Sequence, residues 1–138
     1  MAKLMVKRFS SPDERRPFVD KGHADILAFG EGSAGRAVFE PGWKWSKHVG
    51  PIAGTRSCMA EHSGYVVQGK MHLVMDDGQE GDIEAGDCFY IPPGHDGWTL
   101  GSEACICLDF TGMGQYARTA AERRAGAGTS EAQQPGVH

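Results

Sequence analysis

The side chains best suited to chemistry in this sequence are six histidines and four cysteines, with three tryptophans to shape a pocket. Neutral imidazole and thiolate both hold divalent transition metals, and imidazole also moves protons near neutral pH. The cysteines are Cys58, Cys88, Cys105 and Cys107. None forms a C-x-x-C pair, so their spacing signals neither a zinc knuckle nor a thioredoxin-like site. Cys88, Cys105 and Cys107 are assigned to packing. Cys58 stays open between ligand, reactive thiol and small apolar filler. Arg56 is a candidate for holding a carboxylate or phosphate through its forked guanidinium. Trp43, Trp45 and Trp98 offer flat apolar walls for a ligand cavity, or packing for a barrel end. No Ser-His-Asp order, phosphate-cradling glycine loop or nucleotide fingerprint is present.

Such groups act only when a scaffold gathers them. The 138 residues suit one domain, and 40% apolar content is enough for one core. A net charge of -4 speaks against broad electrostatic binding to nucleic acid or to an anionic membrane. The N-terminal run has no apolar stretch of signal-peptide length, and nowhere do ~18 apolar residues follow one another. A cytoplasmic protein with reduced thiols is the expectation.

Short β-rich runs punctuated by 20 glycines predict an all-β fold. Strands are expected over 24–29, 36–39, 57–62, 65–67, 71–75, 80–83, 88–91, 98–100 and 105–110. Asp76-Asp77-Gly78 is a hairpin turn, because Asp-Gly tolerates the positive φ such turns need. Alternation puts Cys105, Cys107 and Asp109 on one side of their strand, with Ile106, Leu108 and Phe110 on the other. Met71, Leu73 and Met75 point together, opposite His72. The boundaries expected are an N-terminal arm over 1–22, a barrel over 23–112, a short helix over 113–124 and a disordered tail over 125–138.

The run Gly86-Asp87-Cys88-Phe89-Tyr90-Ile91-Pro92-Pro93-Gly94 resembles the second motif of the cupins, a Gly-Asp turn, an apolar strand and Pro-x-Gly. Pro41-Gly42-Trp43-Lys44-Trp45-Ser46-Lys47-His48 matches the opening of the first cupin motif, and His62-Ser63-Gly64-Tyr65-Val66-Val67-Gln68-Gly69 its end. The resemblance implies a double-stranded β-helix, or jelly-roll barrel. It also implies a divalent metal (Fe, Mn, Ni, Cu or Zn) held by His-x-His, a glutamate and a second-motif histidine. Counting from Gly42, His48 takes the first histidine position and Gly50 the second. Counting back from Gly69, His62 takes the glutamate position, with Arg56 and Cys58 near the His-x-His positions. The stretch 51–61 reads as an insertion. In the second motif Gly97 holds the usual histidine place, and His95 lies two residues before it.

The resemblance therefore points to a rearranged metal site of His48, His62 and His95, with Cys58 or Asp96 as a fourth ligand. Arg56, Cys58, Trp45, Asp96 and Trp98 are expected around the ligand pocket. His23, His72 and His138 carry no such signal. Three functions stay open: a metal-dependent oxygenase, isomerase or lyase, a metal-free binding or sensing module, and a metal-free acid–base enzyme. The partner expected is a small molecule, and a homodimer is expected through edge strands or the N-terminal arm.

Overall fold

A computed structural model describes residues 3–111, 113, 116–119 and 121–122. Nine strands carry the fold: β1 (Glu14–Pro17), β2 (Gly22–Phe29), β3 (Gly32–Phe39), β4 (His62–Gln68), β5 (Lys70–Met75), β6 (Glu80–Glu84), β7 (Cys88–Ile91), β8 (His95–Leu100) and β9 (Cys105–Asp109). They form a six-stranded sheet in the order β1-β2-β3-β9-β4-β7 and a three-stranded sheet in the order β6-β5-β8. All the pairings are antiparallel. This is the all-β class that the turn spacing predicts, in the jelly-roll form that the cupin resemblance implies.

The Asp76-Asp77-Gly78 turn closes β5 onto β6 with Gly78 at φ 96°. The Met75 amide donates to the Gln79 carbonyl at 2.7 Å, and Asp77 Oδ1 accepts the Gln79 amide. On β2, β3 and β9 several inward residues are small: Ala24, Ala37, Cys105 and Cys107 are all buried. They leave room for Phe18, Phe39, Trp43 and Trp45, whose rings fill the space between the sheets. Phe39 and Trp43 meet at a centroid distance of 4.3 Å. On β9 the cysteine and aspartate face is therefore the interior one, and Ile106 and Leu108 are only half-buried.

Three departures from the expected elements have local causes. Of the expected strand over 57–62, only His62 is in a strand, at the start of β4: Thr55 Oγ1 donates to the Ser57 carbonyl, Ser57 Oγ bonds Asp76, and Cys58 pairs as an isolated bridge to His95. Such side-chain bonds compete with a ladder. Two single-turn helices, α1 (Trp45–His48) and α2 (Gly50–Ala53), fill the long connection from β3 to β4. Cys88, assigned to packing, is exposed on the edge strand β7, because the inward positions there belong to Phe89 and Ile91.

At the N-terminal side, β1 extends the six-stranded sheet, where Arg15 holds the buried Asp25 through two bonds of 2.7 and 3.0 Å. The expected C-terminal helix and tail lie mostly outside the described residues. Met113, Tyr116 and Ala117 are described and are buried against the core. No helix among the described residues is long and apolar enough to cross a membrane.

One position shows how tightly the ladders are built. A Cβ at Gly64, on β4 between β7 and β9, would stand 1.8 Å from the Leu108 carbonyl oxygen. Backbone cannot yield as a side-chain tip can. Gly64→Ala is expected to cost about 3 kcal/mol or more, read as a lower urea midpoint.

Candidate metal centre

Four buried side chains converge inside the barrel, and each is aimed by the end of an element. His62 is the first residue of β4 and His95 the first of β8, and both point inward. Asp109, the last residue of β9, shares their interior. Cys58 comes from the loop after α2 and is clamped by backbone bonds: its amide donates to the His95 carbonyl at 2.8 Å, and Gly94 donates to its own carbonyl at 2.7 Å. Gly94 has φ 91°, the turn that lifts the chain from Pro92-Pro93 into β8.

The ligating atoms of Cys58, His62 and His95 lie within 4.8 Å of one another. Cys58 Sγ is 3.6 Å from His62 Nε2. Each imidazole uses its other nitrogen elsewhere. His62 Nδ1 bonds Asp109 Oδ2, and His95 Nδ1 donates to the Pro92 carbonyl at 2.8 Å. Asp109 is fixed in turn by the Thr111 amide at 2.9 Å on Oδ1.

These contacts set the charges of the metal-free site. Burial pushes the Cys58 thiol up, but hydrogen bonds and charge from His62 and His95 prevail and hold it at about 6. Burial also opposes a charge on His62, yet its bonds to Asp109 and Cys58 raise it to about 10. At neutral pH the site is thus a thiolate beside an imidazolium, with a carboxylate behind it. Burial pushes the Tyr116 phenol upward, and its ring stands edge-on to His62 at 5.2 Å.

His48 does not join this group. It lies in α1, where its Nδ1 accepts the Lys44 amide at 3.0 Å. Arg56 is exposed and does not line the cavity. Trp45 is buried and lines it. Asp96 and Trp98 alternate with His95, Gly97 and Thr99 on β8 and so face outward. Asp96 accepts the Ser46 amide and braces α1. Trp98 meets the His72 ring at 4.9 Å, tilted by 42°, beneath the Lys44 ammonium. The sequence reading missed Asp109, Met113 and Tyr116. An acidic residue in phase with Cys105 and Cys107 was the available signal for the first.

A cavity of about 40 Å³ adjoins His62, His95 and Asp109, walled by Trp43, Trp45 and Phe89 among others. Fold and site together define a small β-barrel protein with a Cys/His/His group beside an apolar chamber. The EutQ-like cupin domain family matches residues 38–105, and the chain belongs to the cupin superfamily. Its fold is similar to that of the polyketide cyclase RemF from Streptomyces resistomycificus, at 20% identity and a TM-score of 0.56, covering 80% of each chain. It is also similar to an oxalate decarboxylase of Lactobacillus farciminis solved as a formate complex, at 16% identity and a TM-score of 0.53, covering 80% of this chain and 35% of that one. A Vibrio parahaemolyticus protein of unknown function matches at 12% identity and a TM-score of 0.52, over 70% of this chain and 95% of that one. No curated protein matches by sequence.

Proposed function

We propose that this protein holds a divalent transition metal through Cys58, His62 and His95 and binds a small molecule beside it. The observation that carries this reading is the pair of outer bonds. Metal-bound histidines almost always donate their second nitrogen to a carboxylate or a carbonyl, and His62 and His95 do each. Both Nε2 atoms are thereby left for a metal. One thiolate with two imidazoles favours zinc or copper over manganese among the metals a cupin holds. Such an ion polarises a bound oxygen, or activates water when a coordination position stays open. The protein supplies orientation through Asp109 and Pro92, and a water-poor chamber through its tryptophans.

Loading the site must displace a proton, since His62 carries one on Nε2 below about 10 and Cys58 carries none above about 6. Metal affinity is therefore expected to rise roughly tenfold per pH unit between those values, and more steeply below the lower one. Competition against a chelator at several pH values checks this. A flat profile would contradict it.

A second, metal-free reading rests on the order Cys58–His62–Asp109, which follows nucleophile, base and orienting acid. Stoichiometric labelling of Cys58 by iodoacetamide, undiminished by added zinc, would favour it.

A further inference from the structure

The chamber beside Cys58, His62 and His95 has a size and a charge balance that together select its ligand. With a divalent ion in place, the thiolate of Cys58 and the carboxylate of Asp109 already balance its two positive charges. Among the described residues, the chamber is lined by no lysine or arginine. The buried guanidinium of Arg16 is not part of the lining and is paired with Glu14. An incoming anion would leave a net negative charge in an apolar space, which is costly.

The volume is set by the C-terminal segment. Arg16 Nη1 donates to the Met113 and Tyr116 carbonyls at 2.6 and 2.8 Å, fastening that segment across the barrel. Met113 sits on Gly35, where a Cβ would stand 2.0 Å from its Cγ, and Tyr116 stands over His62. About 40 Å³ remains beside these side chains, room for a small ligand only. Trp43 and Trp45 also line the chamber, each 3% exposed, and neither Nε1 has a hydrogen-bond partner.

We propose that this chamber takes a small neutral ligand and excludes anions of equal size, with Met113 and Tyr116 setting the limit. This rests on the metal reading above. The test uses the full chain loaded with cobalt(II), whose visible bands report both loading and ligand entry. Methyl isocyanide and azide are linear, have the same number of non-hydrogen atoms, and differ in charge. Methyl isocyanide is expected to shift the bands of the wild-type protein. Compared at full cobalt(II) loading, Asp109→Asn, which removes a negative charge, is expected to tighten azide about tenfold relative to its effect on methyl isocyanide. The bulkier tert-butyl isocyanide should shift the bands of Tyr116→Ala and leave those of the wild type unchanged. Azide binding as tightly to the wild type as to Asp109→Asn would overturn the charge argument. Entry of tert-butyl isocyanide into the wild type would overturn the size limit. Absence of cobalt uptake would remove the metal reading and this one with it, so the failures are distinct.

Discussion

Asp109→Ala is expected to destabilise the metal-free protein by about 3–5 kcal/mol at neutral pH, measured by urea unfolding. Asp109 is 1% exposed and faces His62, which is 6% exposed. Removing one member of a buried pair leaves the other without its counter-charge, and His62 is otherwise held protonated up to about 10. Deprotonation of the ring relieves part of that cost and leaves a neutral imidazole in a hole. The carboxylate also accepts the Thr111 amide, and that bond is lost as well. Asp109→Asn keeps the shape and one acceptor, and its loss should be smaller. Its metal affinity should fall about 10- to 100-fold, the usual effect of losing an outer partner of a ligating histidine. A change below about 1 kcal/mol for Asp109→Ala would mean that the pair does not carry charge in the folded protein.

The larger effect on metal binding is expected from Cys58→Ser. The thiolate is the one anionic ligand of the group, and its hydroxyl replacement is not ionised near neutral pH. Affinity for zinc should drop by more than the roughly 100-fold that an outer partner costs. Stability without metal should fall as well, because the buried thiolate supports the His62 imidazolium in the metal-free site. His48→Ala is the matched control and should leave affinity unchanged, because His48 closes its own helical turn. Cys58→Ser with wild-type zinc affinity would remove the thiol from the ligand set.

The barrel was legible because its signals are local. Asp77-Gly78 forces a hairpin, Pro92-Pro93-Gly94 ends a strand, and alternation on β5 and β9 separates two faces. The site was half legible. His62 and His95 follow from the motif positions, and His95 teaches why an offset of two is harmless. On β8 a two-residue step keeps the same face, so His95 and Gly97 both point inward one pleat apart. Gly97 is also tightly held, since a Cβ there would stand 3.1 Å from the His72 carbonyl oxygen. What sequence spacing could not supply was the path of the chain between β3 and β4. Its two helical turns swing His48 away, and a single bridge to β8 brings Cys58 in. Period-based reasoning has no purchase on such a loop. Hydrophobicity also misleads on β9, where the polar face is the inner one because the barrel interior is a site as well as a core.

The account stands on one sulfur and two imidazoles around a single ion. X-ray absorption at the zinc edge of the loaded wild-type protein tests that directly. It should show one sulfur near 2.3 Å and imidazole nitrogens near 2.0–2.1 Å, about the ordinary zinc–ligand distances. A shell of nitrogen and oxygen alone, with no sulfur scatterer, would contradict it.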